Sequence, residues 1–170
     1  MWGYASNNEI MHKDIFEIVL DQLEEFPEPI RSISLSNHGE PLCNPDLPRM
    51  VKRIKKRGFD SRISIHTNGS LINGSVMDEL VDSDIDRVIV SIQGMDDNSY
   101  LRICNTKIEW DVFVGNLSRF YQNKKKTQLY VKIVDVALDE GQEQRFFDTF
   151  LPISDRAFIE KTCNIWKTKN

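Results

Sequence analysis

Four short segments of the chain alternate apolar and polar residues at a period of two, and segments with a helical period separate them. In the first, Ile33 and Leu35 oppose Ser32, Ser34 and Ser36; in the second, Ile63 and Ile65 oppose Ser64, His66 and Asn68. Val88, Val90 and Ile92 oppose Ser91 and Gln93 in the third, and Leu129, Val131 and Ile133 oppose Tyr130 and Lys132 in the fourth. That period puts one set of side chains on each face of a β-strand. Strands are predicted over 30–36, 62–67, 86–92, 128–137 and 156–162, with helices over 13–26, 46–57, 75–83, 109–123 and 140–151. One strand about every thirty residues is the size of a βα unit, whose right-handed crossover sets successive strands parallel.

The wet face decides which parallel sheet this is. Central strands of a doubly wound sheet, covered by helices on both sides, read as nearly continuous apolar runs. These strands carry an apolar face for helices and a polar face for something else. A closed eight-stranded barrel wants aliphatic side chains inside, so the pattern predicts an α/β fold of another kind. It is an open, partial TIM-like barrel of about five parallel strands, with helices outside and a polar ligand site within. A sheet covered by helices on one face and exposed on the other is the alternative.

The helical segments carry local reasons for their limits. Ile15, Phe16, Ile18, Val19, Leu20 and Leu23 recur at helical spacing before Pro27 and Pro29 forbid continuation. Leu47, Met50, Val51 and Ile54 line one side of the next helix, and Gly58 stops it. Its other side, Arg49, Lys52, Arg53, Lys55 and Lys56, reads as a solvated face rather than a phosphate site. Ser75 is placed to cap a third helix, and Lys124 to Lys126 sit where a helix C-terminus favours cations.

At 170 residues with 40% hydrophobic content, residues 1–170 are expected to form one domain. No apolar run approaches the roughly eighteen residues of a membrane span, and Met1-Trp2-Gly3-Tyr4 lacks the features of a signal peptide. A cytoplasmic protein without a membrane partner is expected. Twenty-six acidic residues against 22 basic ones, a net charge of -4, exclude a general polyanion binder and give no indication of nucleic acid as a partner.

Parallel barrels place their chemistry where the strands end. Asn37-His38-Gly39-Glu40-Pro41-Leu42-Cys43-Asn44-Pro45 follows the first strand, Thr67-Asn68-Gly69 the second and Ser91-Ile92-Gln93-Gly94 the third. Gly39 lets the backbone turn close to a ligand, Glu40 supplies a carboxylate able to hold an ammonium group, and Pro41 fixes the following turn. Each segment alone is also what an ordinary turn looks like.

In this order, at these strand ends, they resemble the radical S-adenosylmethionine (SAM) enzymes, and the resemblance runs from Met11 to Trp166. It implies a small-molecule cofactor, SAM, whose amino group is contacted by Gly39, Glu40 and Pro41, with His38 where many members have another glycine. Ile65-His66-Thr67-Asn68-Gly69 looks like the family's third strand end. Val90-Ser91-Ile92-Gln93-Gly94 looks like its fourth, with Ser91 at the cofactor's ribose or carboxylate. Asn68, Gln93 and Lys132 are lumen candidates for the same site. Asn164-Ile165-Trp166 resembles the segment before a C-terminal extension in members that modify peptides, which makes a peptide one implied substrate class.

The departures matter as much. The family's Cys-x3-Cys-x2-Cys loop, which ligates a [4Fe-4S] cluster, is absent, and the helix at 13–26 corresponds to the one that follows it. Cys43, Cys104 and Cys163 lie 61 and 59 residues apart, too scattered for a disulfide framework or a cluster. Cys104 and Cys163 are expected to be buried apolar-type cysteines, and His12, His38 and His66 lack the spacing of a zinc helix. No metal ligands are assigned. The resulting expectation is a truncated radical SAM core that does not cleave SAM alone. The alternatives are a cluster-free SAM-binding or scaffold protein and an aldolase-like barrel with Lys132 as a Schiff-base lysine. Without a preceding strand, 30–36 becomes an edge, which predicts a homodimer paired through it.

Overall fold

The computed structural model describes residues 10–36 and 38–162. Asn37, Cys163 and Asn164 to Trp166 therefore lie outside the described residues, as do Met1 to Tyr4. The elements are α1 (Lys13–Glu24), β1 (Ser32–Ser34), α2 (Leu47–Lys56), β2 (Arg62–Thr67), α3 (Gly74–Asp82), β3 (Arg87–Ile92), α4 (Asp97–Cys104), α5 (Trp110–Asn123), β4 (Gln128–Val134), α6 (Gln142–Phe150) and β5 (Arg156–Glu160). All five strands are parallel, and the order is β1-β2-β3-β4-β5. Each strand thus pairs only with its neighbours in sequence. Crossovers of one hand between strands laid down in one direction put every helix on the same side of the sheet, which is the winding of a partial barrel.

Burial follows that winding. Ile63, Ile65, Val88, Val90, Leu129 and Val131 are fully buried beneath the helices, together with Leu20 of α1, Val51 and Ile54 of α2, Leu80 of α3, Leu117 and Phe120 of α5 and Phe146 and Phe150 of α6. The opposite face carries the polar set. Among the described residues, no helix is long and apolar enough to cross a membrane.

One device recurs where strands begin. Asp86, just before β3, donates its backbone N–H to the Ile63 carbonyl at 3.1 Å and accepts from the Ile63 N–H through Oδ2 at 2.7 Å. Asp155, just before β5, does the same to Leu129 of β4, at 2.8 and 2.7 Å. Each carboxylate is also paired with a lysine following a helix C-terminus or within its last turn, Lys55 at 2.9 Å and Lys124 at 3.0 Å. A single aspartate so fixes the register of two strands and satisfies an N–H that has no water to turn to.

The structure departs from the sequence expectations in detail. The strand expected over 30–36 shortens to Ser32–Ser34 because it has a neighbour on one side only. The strand expected over 128–137 stops at Val134, where Asp135 to Ala137 turn as a 3-10 helix. Ser75 does not cap α3, which starts one residue earlier with Asn73 at its N-cap. Helix α4 was not expected, and it corrects the reading of Cys104: α4 buries Ser99 and Tyr100, while Cys104 lies on its exposed flank.

At the β1 edge, Arg57 binds three carboxylates of α1: Glu17 and Asp21 at 2.6 Å and Glu24 at 3.1 Å. Hydrogen bonds from Arg53 and Arg57 lower the pKa of Glu17 from 4.5 to about 2. A depressed folded-state value means that the contribution of Glu17 to stability is complete above about pH 4.5 and is lost as pH falls toward 2. In urea unfolding, the gap between wild type and Glu17→Gln is therefore expected to hold constant down to about pH 4.5 and to close toward pH 2. Asp155→Ala strands the buried Leu129 N–H and is expected to cost about 1–3 kcal/mol with an unchanged denaturant slope. A loss below about 0.5 kcal/mol, the range of ordinary surface substitutions, would sink the clamp.

Candidate functional site

The polar face is assembled by strand register. Ser34 lies opposite Ser64, His66 opposite Ile89, Ser91 opposite Lys132, and Val134 opposite Glu160. At the carboxyl ends this brings the loop after β1, the Thr67-Asn68-Gly69 turn, Ser91 and Gln93, and the Lys132–Glu160 pair into one arc.

Glu40 anchors that arc. It caps the 3-10 turn Pro41–Cys43, where its Oε1 accepts from the Leu42 N–H at 3.1 Å. The same oxygen accepts from the Thr67 hydroxyl at 2.6 Å, and Oε2 accepts from the Asn68 N–H at 2.8 Å. The carboxylate therefore spans the ends of β1 and β2, and three of its roughly four lone-pair positions are taken by the protein. Gly39, beside it, has φ +93°, a conformation that disfavours any side chain, in space where an added Cβ meets nothing. Thr67 is 3% exposed and was missed as a site residue. Its role depends on a contact made across 27 positions of sequence.

The other candidates divide into committed and uncommitted groups. The Asn68 side chain closes a turn through Oδ1, accepting from the Ser70 N–H at 2.9 Å and its hydroxyl at 2.6 Å. Lys132 Nζ lies 2.6 Å from Glu160, so a Schiff-base role requires that ion pair to break before the nitrogen attacks. The Ser91 hydroxyl and the Gln93 amide make no hydrogen bond among the described residues, although both side chains are only half exposed.

The backbone under Gln93 is held firmly. A Cβ on Gly94 would collide with Ser99 Oγ and lie 2.7 Å from its Cβ. Ser99 in turn closes a capping box with Asp96: it donates its N–H to Asp96 Oδ1 at 2.8 Å and accepts the Asp96 N–H at 3.0 Å. On the other side, a Cβ on Gly69 would lie 2.8 Å from Val90 Cγ1. Beneath this rim Tyr100 packs against Trp110 and Phe113. Burial pushes its phenol up to about 12, and its hydroxyl makes no well-formed hydrogen bond. In the middle of the face, desolvation lowers the His66 pKa, the Lys132 charge lowers it further, and Glu160 opposes both. His66 is therefore neutral at pH 7.

The thiols do not fit a cluster. Cys43 ends the 3-10 turn after β1 and Cys104 ends α4, both exposed and on different elements. Among the described residues, no group of three or more His, Cys, Asp or Glu side chains is placed to hold a metal ion.

Known proteins share this architecture. A tungsten-containing aldehyde ferredoxin oxidoreductase cofactor-modifying protein of Pyrococcus furiosus is 38% identical over 82 residues, which is 48% of this chain and 22% of that protein. An S-adenosyl-L-methionine-dependent tRNA 4-demethylwyosine synthase of Methanocaldococcus jannaschii is 28% identical over 131 residues, 73% of this chain and 40% of that protein. The chain thus spans well under half the length of these relatives. Among solved structures, Streptococcus suis SuiB bound to its precursor peptide SuiA superposes with a TM-score of 0.69 at 18% identity, over 95% of this chain and 35% of that one. The fold is therefore that of the TIM-barrel-like radical SAM enzymes. The Radical SAM superfamily model matches residues 6–145, and the chain belongs to that superfamily.

Proposed function

We propose that the rim of the partial barrel binds SAM, with the Glu40 bridge as the observation that carries the reading. A carboxylate held by three donors keeps its remaining acceptor position fixed, which suits it to orient the cofactor's ammonium group, while Gly39 and Pro41 shape the loop that approaches it. Ser91 binds the ribose or the carboxylate, and Gln93 is free to add a further hydrogen bond. Asn68 contributes through its turn and Lys132 through the charge it shares with Glu160. Together with a reduced [4Fe-4S] cluster, SAM supplies radical chemistry for hydrogen abstraction. Cys43 and Cys104 offer no such cluster a site, so the 170-residue chain alone binds SAM without cleaving it.

Isothermal titration of the chain with SAM is expected to show binding. Ser91→Val is expected to weaken it about fivefold to tenfold, the value of one hydrogen bond. No heat of binding in the wild type would leave only a scaffold or partner subunit. 5'-Deoxyadenosine formed above background under dithionite would overturn the proposed inactivity.

Among the described residues the outer edge of β1 pairs with no strand, which supports a second proposal, that two copies pair through Ser32–Ser34 and the residues flanking it. Light scattering is expected to give the mass of a dimer. A monodisperse monomer at the same concentration counts against it.

A further inference from the structure

The polar face has a charge of its own, opposite in sign to that of the chain. The strand residues that register places on it are Ser32, Ser34, Arg62, Ser64, His66, Arg87, Ile89, Ser91, Gln128, Tyr130, Lys132, Val134, Arg156, Phe158 and Glu160. Four of these are permanent cations. The single acid, Glu160, is spent on Lys132. Arg62, Arg87 and Arg156 have no carboxylate partner among the described residues, in a protein whose acids outnumber its bases by 26 to 22.

Register brings two of them together on the amino-end floor of the barrel: Arg87 lies opposite Gln128, two residues before Tyr130, and Arg156 lies opposite Tyr130 itself, whereas Arg62, opposite Ser32, sits two residues below Arg87 and three strands from Arg156. Arg87 lies 4.3 Å from the Tyr130 ring centre and donates through Nε and Nη2 to Gln128 Oε1 at 3.1 and 2.7 Å. Arg156 lies 5.9 Å from the same ring and 5.0 Å from the Phe158 ring. Two guanidiniums therefore share one aromatic ring, and the Arg156 side chain makes no hydrogen bond among the described residues. The aspartates of the floor do not relieve this repulsion, because Asp86 and Asp155 are each bound to a backbone N–H and a lysine.

We infer that this floor is an anion site, taking a phosphate or carboxylate group between Arg87 and Arg156, with Tyr130 as the plate that orients the two guanidiniums. Arginine's planar fork suits oxyanions, and stacking on an aromatic ring fixes the fork at little further entropic cost. The inference deepens the SAM reading by naming a substrate class. Arg87 and Ser91 are four residues apart on β3, about 13 Å at about 3.3 Å per residue. A ligand whose acidic end rests on the floor and whose reacting carbon reaches the rim is therefore an extended anion on the order of 10–15 Å long.

Inorganic phosphate tests the floor without SAM, so its outcome is separate from that of the SAM titration. Phosphate is expected to raise the melting temperature of the full chain beyond chloride of equal ionic strength, in a saturable way. Arg156→Gln and Arg87→Gln are each expected to weaken phosphate binding about tenfold, as the loss of a charge-assisted hydrogen bond predicts. Lys125→Gln, on the outer surface in an ion pair with Asp82, is expected to leave it unchanged. No response beyond matched chloride, or binding by both arginine variants as tight as that of the wild type, would overturn the site. If phosphate and a dicarboxylate such as glutarate both bind, the ligand's acid group is unspecified by the floor; if only phosphate binds, the substrate is a phosphate ester.

Discussion

Everything else in this molecule follows from strands that pair only with their neighbours in sequence and run in one direction. Such winding sends every crossover to the same side, so one sheet face receives all the helices and the other none. The apolar face is then fully covered: Ile63, Val88 and Leu129 are at zero exposure. The other face cannot be apolar without leaving a broad hydrophobic surface to water. Serines, arginines, a lysine and a histidine there are the consequence of the topology, and they are also what makes a ligand chamber possible. Function in this fold is bought with the half of the sheet that contributes least to the core.

The two ends of the strands solve different problems. At the amino ends, Asp86 and Asp155 each hold two neighbouring strands in register and are neutralised by Lys55 and Lys124 on the helical side. At the carboxyl ends the corresponding bridge is Glu40, which joins two loops instead of two strands. The difference in rigidity is physical. An aspartate locked into a ladder has no room to respond to a ligand, whereas Glu40 is half exposed beside a glycine loop and keeps an acceptor position open. A structural role and a binding role are compatible in Glu40 because the protein donors fix the carboxylate without saturating it.

The fold was legible because its signal is repeated. Ile33-Leu35, Ile63-Ile65, Val88-Val90-Ile92 and Leu129-Val131-Ile133 each carry the same period, and that repetition excludes most other topologies. Single-instance features were less legible. Helix α4 is short, and only Ser99 and Tyr100 of it are buried, so no periodicity announces it; the Asp96-x-x-Ser99 capping box was its one local mark. Cys104 was misread because cysteine's usual preference for burial was applied without knowing which flank of that helix faces out. The candidate site residues Gly39, Glu40, Ser91 and Gln93 stood at strand ends and could be named. Thr67 and Glu160 could not, since their importance lies in contacts with Glu40 and Lys132 across 27 and 28 positions, set by register alone.

Register also explains why charge accumulates where it does. A parallel sheet with strands about 4.8 Å apart sets Arg87 opposite Gln128 and Arg156 opposite Tyr130, so two arginines far apart in sequence flank one ring. Two like charges around one ring repel each other. Aromatic stacking on Tyr130 and Phe158 reduces the cost without removing it. Meanwhile the acid that could neutralise them is distributed elsewhere: Glu17, Asp21 and Glu24 crowd around Arg57 on the far side of the helical layer. An acidic chain that spends these carboxylates on Arg57 leaves Arg87 and Arg156 without one among the described residues, and the proposed anion would gain what the fold has left unpaired.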